Sequence, residues 1–220
     1  RVAHADVAAA ESELDELGAE PGVGGCDADV GRQGEGEAAA VRGAVDRGDH
    51  RLAQVDALAK RGVGIACLHY AVEVPKEKGG PEFLTWLGGY FEPHWSVNPH
   101  WKLAQTELAQ GHPITRGVKP FETDDEWYYH MRFRDPPEGL TLILTAVPPD
   151  ATREKPDGPH SNNPTVRAGK GSREALAWAS ERPGGGRGFG CTGAHFHRNW
   201  AHDDFRTMML NALAWTAGVE

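Results

Sequence analysis

Several histidines in this chain sit where an imidazole could do chemistry. His69 closes the apolar run "GIACLH". Ligands in open α/β sheets bind outside the carboxyl ends of the strands, so a ring at a strand end is well placed for one. The competing reading is a hydrogen-bonded structural imidazole. Tyr70 follows directly, where a nucleophile elbow would turn, but no Ser or Cys occupies that turn. Cys67 lies two residues too early, inside the strand, and reads as a buried thiol. The stretch "GCTGAHFHRNW" sets His195 and His197 two residues apart behind a glycine run. If the strand continues through them, alternation puts both on one side. Two imidazoles on one side can bind a transition metal or flank a substrate oxygen.

Two further segments carry candidates. "EPHWSVNPHW" offers His94 and His100 beside Trp95 and Trp101. That pattern suits sugar recognition, with an apolar face for stacking and polar atoms for hydroxyls; it suits the packing of a loop equally well. "TDDEWYYH" places Asp124, Asp125 and Glu126 just before a strand. Three acids can supply a base or a metal ligand, although such clusters are usually solvated. Histidines from separate segments plus a carboxylate are compatible with a divalent metal, with His69, His195 and His197 as candidate ligands.

These residues need a frame to position them. "DHRLAQVDALAKRG" has Leu52, Val55, Leu58 and Ala59 at helical spacing, with Asp49 as N-cap and Gly62 as stop. "VGIACLH" then reads as a buried strand, and a helix leading straight into a buried strand is half of an α/β unit. "GPEFLTWLGGYF" predicts a short helix ended by Gly88 and Gly89. "KLAQTEL", "EWYYHMRF" and "LTLILTAV" read as strands, the last central because it is apolar almost throughout. Residues 148–171 are rich in Pro, Gly, Asn and charge and read as a long surface loop. "ALAWASERPGGGRGFGCTGA" reads as two strands joined by a glycine turn. An amphipathic helix over about 202–217 follows, with Asp203 and Asp204 suited to its N-terminal dipole.

Composition divides the chain of 220 residues in two. All 18 aromatic residues lie between Tyr70 and Trp215. Residues 1–48 carry a net charge of −7 and the remainder only −2. In residues 1–48, 37 are Ala, Gly, Asp, Glu or Val, the amino acids whose codons begin with G. This segment reads either as a disordered acidic tract or as a GC-rich gene translated in the wrong frame. The domain proper is expected over 49–220. No basic run with interleaved aromatics points to nucleic acid, and no stretch approaches the roughly 18 apolar residues of a membrane span. Three cysteines, Cys26, Cys67 and Cys191, make neither a disulfide framework nor a CxxC. The expected compartment is the cytoplasm, with the periplasm left open because the chain begins with Arg.

Taken together and in order, "RGVGIACLHYA", "HPITRGVKPF", "DEWYYHMRF", "GRGFGCTGAHFHRNW" and "FRTMMLNALAWTAG" resemble the trehalose-utilisation (ThuA-like) family, in the form common in environmental bacteria, over about Asp49 to Glu220. The resemblance implies a class I glutamine-amidotransferase-like, flavodoxin-like fold: a mainly parallel sheet with helices on both faces. Nothing in residues 1–48 matches the family's opening strand and Gly/His-bearing loop, so the first strands are expected to be missing. The resemblance also implies that His69 sits where amidotransferases hold their nucleophilic Cys. It marks His112 to Gly117 and Asp125, Glu126 and Tyr128 as recurrent family segments.

The family's link to disaccharide and 3-keto-sugar metabolism leads to the expected function, a hydrolase or isomerase acting on a sugar by proton transfer. His69 and His195 are then the acid/base candidates, since histidine titrates near neutral pH, and Glu126 assists. Tyr70, His94, His100, Tyr128 and His197 are the expected substrate contacts. The expected partner is a small carbohydrate, not nucleic acid or membrane, and a homo-oligomer is compatible. A non-catalytic sugar-binding or interaction domain is the alternative.

Overall fold

The structure is a computed structural model that describes residues 50–219. The expectations for residues 1–48, for the missing first strands and for the Asp49 cap lie outside the described residues. The described residues fall within one compact unit, Gly43–Glu220.

A helix over residues 50–60 (α1) leads through a turn at Gly62 into strand β1, Ile65–Leu68. Helix α2, Gly80–Trp86, follows, and the Leu87 and Gly88 amides close on its last turn. The short strands β2 (Gly89–Tyr90), β3 (His100–Leu103), β4 (Glu107–Leu108), β5 (Thr123–Glu126) and β6 (Arg132–Phe133) come next. Strand β7 (Leu140–Ala146), helix α3 (Pro164–Ala168), strands β8 (Glu174–Glu181) and β9 (Arg187–Cys191) and helix α4 (Asp203–Thr216) complete the order.

The five-stranded sheet runs β1-β9-β8-β7-β4. Period-two alternation decides what each face buries. Ala177 and Ala179 of β8 and Phe189 and Cys191 of β9 face one side, where α4 lays down Phe205, Met208, Met209, Ala212 and Trp215. Trp178 faces the other side with Val72, Phe91, Tyr128 and Met131. Beside it, α1 and α2 cover Ile65 and Cys67 with Ala59, Trp86 and Leu87. Helices therefore cover both faces of the β1 edge, and the α/β class is as expected.

The strand pairing departs from the mainly parallel sheet expected. Among the described residues β1 pairs with β9 in parallel, whereas β9–β8, β8–β7 and β7–β4 are antiparallel. For the β8–β9 pair the reason is connection length. β8 and β9 are joined by residues 182–186 alone, and a parallel return needs a crossover of about a dozen residues.

Other elements differ from their expected form. β8, not β7, is central; β7 lies beside the edge strand, and Leu142 is 43% exposed. "KLAQTEL" is split between β3 and β4 at Gln105, whose φ is 52°. "EWYYHMRF" is likewise split, because His130 takes a φ of 60° between β5 and β6. The 148–171 segment is anchored rather than superficial. Arg153 is fully buried, donating to the Val166 carbonyl and the Glu174 carboxylate, and the buried Asn162 amide donates to the Arg153 and Lys155 carbonyls.

Candidate functional site

Because β1 and β9 are parallel, their carboxyl ends open on one rim. His69 follows β1 there, and Thr192 follows β9. Leu68 is extended, but His69 takes a φ of 52° and starts the tight turn His69–Val72. The left-handed region is unfavourable for a residue with a Cβ, and such strained positions gather at functional sites. His69 Nδ1 lies 3.1 Å from the Thr192 carbonyl. A carbonyl only accepts, so Nδ1 carries a hydrogen and the neutral ring keeps its lone pair on Nε2.

Three groups crowd that lone pair. Tyr128 Oη and His195 Nδ1 are each 3.0 Å from His69 Nε2, and Glu126 Oε2 is 3.3 Å away. Glu126 Oε2 is also 3.3 Å from His195 Nδ1. The other Glu126 oxygen accepts from Asn98 Nδ2 at 3.1 Å and lies 3.6 Å from His100 Nε2. His100 and Glu126 face each other across the β3–β5 ladder, which explains that approach.

Asp125 fixes the loop that carries His195. It is completely buried. Its Oδ1 accepts from the backbone N–H of Glu126 at 2.9 Å and of Phe196 at 3.0 Å. Its Oδ2 accepts from the Ala194 N–H at 2.9 Å and from Asn199 Nδ2 at 2.8 Å. One carboxylate thus ties the strand bearing Glu126 to the turn bearing His195. Gly193 permits the approach, since a Cβ there would sit 2.4 Å from the Trp127 ring.

His69, Glu126 and His195 form one wall of an open pocket of about 500 Å³, shared with Tyr70, Tyr128 and Asn98. The pocket lining also includes Glu73 and His160, whose Nε2 lies 2.7 Å from Glu73 Oε1 while its ring stacks on Phe91. Burial, reinforced by the negative charges of Glu126 and Glu73, pushes the Tyr128 phenol well above its ordinary value of 10.0. Tyr128 therefore faces the pocket as a neutral hydroxyl. His69, Glu126 and His195 are the described residues whose ligand atoms cluster closely enough to hold a metal ion.

The model of the ThuA family, described as trehalose utilisation, matches residues 42–216. This chain belongs to the ThuA family. A solved ThuA-like protein from Bacteroides uniformis shares its fold, with a TM-score of 0.54 at 17% identity over 75% of this chain. This ThuA-family chain covers 62% of that protein's length. No curated protein matches it.

Within the ThuA-family chain the expected site residues divide. His69, Tyr70, Glu126, Tyr128 and His195 line the pocket, and His100 adjoins it through Glu126. His94 and His197 do not line it. His94 is exposed at a φ of 66° and donates its backbone N–H to the Pro159 carbonyl. His197 starts the exposed turn His197–Ala201. The expectation that alternation would align it with His195 fails because β9 stops at Cys191 and Ala194 takes a φ of 88°. The tryptophans offer no stacking face: Arg132 lies 3.5 Å over Trp95 with His130 stacked on that ring, and Trp101 is buried.

Asp125 is not solvated, contrary to the expectation for an acidic cluster. The His112–Gly117 family segment lies away from the pocket: His112 Nδ1 caps a turn by accepting from the Ile114 N–H, and Ile114 packs in the main core. Burial pushes the Cys67 thiol up to about 11 and the Cys191 thiol up to about 12. Neither is a thiolate near neutral pH, so neither serves as an amidotransferase nucleophile.

Glu73, Asn98 and His160 were not foreseen. Glu73 follows His69 by four residues, a spacing that shares one face of a helical turn and could have been read. His160 carried no such signal, because the anchored 148–171 segment delivers it from far along the chain.

Proposed function

We propose that this chain acts on a disaccharide or a 3-keto sugar glycoside by proton transfer at the His69–His195–Glu126 centre. Membership of the trehalose-utilisation family supports carbohydrate metabolism. The observation that carries the reaction type is the contact between His69 Nε2 and His195 Nδ1 at 3.0 Å, with Glu126 Oε2 at 3.3 Å from both. A carbonyl on a sugar ring acidifies the neighbouring C–H. His69 Nε2, its other nitrogen fixed by the Thr192 carbonyl, is the group to receive that proton. His195 returns a proton, and Glu126 stabilises whichever ring is charged. Tyr128 donates to the oxygen on which negative charge develops. Tyr70, Asn98 and His160 supply polar contacts for hydroxyls, and about 500 Å³ accommodates one to two sugar rings.

The test is a panel of disaccharides and their 3-keto derivatives, followed for product release and, in heavy water, for deuterium uptake next to the carbonyl. His69→Ala abolishes both signals. Saturable sugar binding without turnover or deuterium uptake would overturn the proposal and return the chain to a sugar-binding module.

A further inference from the structure

We infer that His69 Nε2, His195 Nδ1 and Glu126 Oε2 form a site for one divalent cation of the zinc class. The inference rests on the pocket used in the proposed function and specifies what that pocket holds. Zinc bound tetrahedrally, with nitrogen at about 2.0–2.1 Å and carboxylate oxygen at about 2.0–2.2 Å, keeps its ligand atoms about 3.3–3.5 Å apart. The three separations here are 3.0, 3.3 and 3.3 Å, one triangular face of such a tetrahedron.

His69 donates its remote N–H to a backbone carbonyl, the arrangement that fixes tautomer and ring orientation in metal-bound histidines. Glu126 is held through its second oxygen by Asn98, and its backbone amide is held by Asp125. Hydrogen bonding alone satisfies the cluster poorly. His69 Nε2 offers one lone pair, yet the Tyr128 hydroxyl and His195 Nδ1 both approach it at 3.0 Å. A cation satisfies both imidazoles and the carboxylate together.

Two nitrogens and one oxygen select a borderline metal over magnesium or calcium, which favour all-oxygen shells. His197 is excluded by position, and His100 approaches the wrong Glu126 oxygen. The remaining side of the triangle is the pocket, so the fourth position is open to water or to a sugar oxygen, as in catalytic rather than structural sites. Bound there, the cation takes the lone pairs of both imidazoles. The proton acceptor assigned above to His69 Nε2 would then be a hydroxide held at the open position, left when bound water of raised acidity gives up a proton to solvent.

The test uses the full chain stripped by a chelator and titrated with Co²⁺ as a visible-absorbing zinc surrogate, then with Zn²⁺ in competition. One equivalent is expected, with the intense d–d bands of a four-coordinate site. His195→Ala, at an exposed position that leaves the fold intact, and Glu126→Gln are each expected to lower affinity by about 100-fold or more, whereas His197→Ala leaves it unchanged. The absence of saturable binding overturns the inference, as does binding that both site variants leave untouched. Turnover is measured on the same samples. Full turnover in the stripped protein overturns the cation's role while leaving proton transfer by the histidines standing. One tightly bound equivalent with no turnover on any sugar supports the site and overturns the sugar reaction.

Discussion

Replacing Asp125 by Asn tests whether one buried carboxylate holds the site together. The side chain accepts four hydrogen bonds of 2.8–3.0 Å from Glu126, Ala194, Phe196 and Asn199. Every partner is a donor. An Asn carbonyl can serve one pair of donors, but its NH2 must then face the other pair. In either orientation two bonds are lost and donors are left facing donors in a site without solvent. Hydrogen bonds to a charged group contribute about 1.5–3 kcal/mol each. Two lost bonds therefore cost about 3–6 kcal/mol, reduced somewhat as the 193–196 turn relaxes. We expect a loss of about 3–5 kcal/mol, a large share of the roughly 5–15 kcal/mol of a typical domain. Urea unfolding followed by tryptophan fluorescence measures it, since Trp127 lies beside Gly193. Relaxation of the turn also moves His195 from Glu126, so cobalt affinity and turnover fall in the molecules that remain folded. A loss below about 1 kcal/mol with wild-type cobalt affinity would show that Asp125 does not organise this turn.

Three further outcomes are expected. Gly190→Ala places a Cβ 2.2 Å from the buried Trp178 ring, which is held by its bond to the Leu87 carbonyl; the cost is about 3 kcal/mol, read as a lowered melting temperature. Burial pushes the Glu174 carboxyl up, but contacts from His130 and Arg153 outweigh it and hold the group below its ordinary 4.5. Its stabilisation is therefore complete above pH 4.5 and lost as pH falls through the lowered value, so the stability gap between wild type and Glu174→Gln should narrow on acidification; a gap independent of pH refutes this. In a Cys26→Ser background, Cys67 and Cys191, with thiols raised to about 11 and about 12, should resist a thiol reagent at neutral pH until the chain unfolds.

Local pattern was readable wherever local forces decide the structure. The β8–β9 hairpin followed from a glycine turn between two apolar runs, and α4 from its period and acidic start. Of the pocket residues, His69 stands out because a polar ring ends an apolar strand, and a strand end in this fold class lies on a rim. The failures share a cause. Gln105 and Ala194 adopt left-handed backbone with side chains that do not favour it, and His130 does so with one that only sometimes takes it. Neither Gln nor Ala announces such a break, so the pattern reads as strand through positions where the chain turns, and alternation aligns His197 with His195 although β9 ends at Cys191.

The polar residues that organise the site were hidden for a different reason. Asp125 looks like any acid in "TDDE" until four donors converge on it from two segments some 70 residues apart. His160 looks like loop until Arg153 and Asn162 anchor that loop and bring the ring within 2.7 Å of Glu73. A charged group is tolerated in a core only when its partners are already assembled, and here the partners come from distant parts of the chain. The same logic connects Asp125 to the proposed cation. The His195 turn is held from below by a saturated carboxylate, while His69 is held from the side by the Thr192 carbonyl. The His69 ring and the backbone that carries His195 are therefore fixed before any ligand arrives. Orienting them in advance lowers the cost of bringing three ligand atoms together, and the fold supplies it without placing any thiol in the pocket.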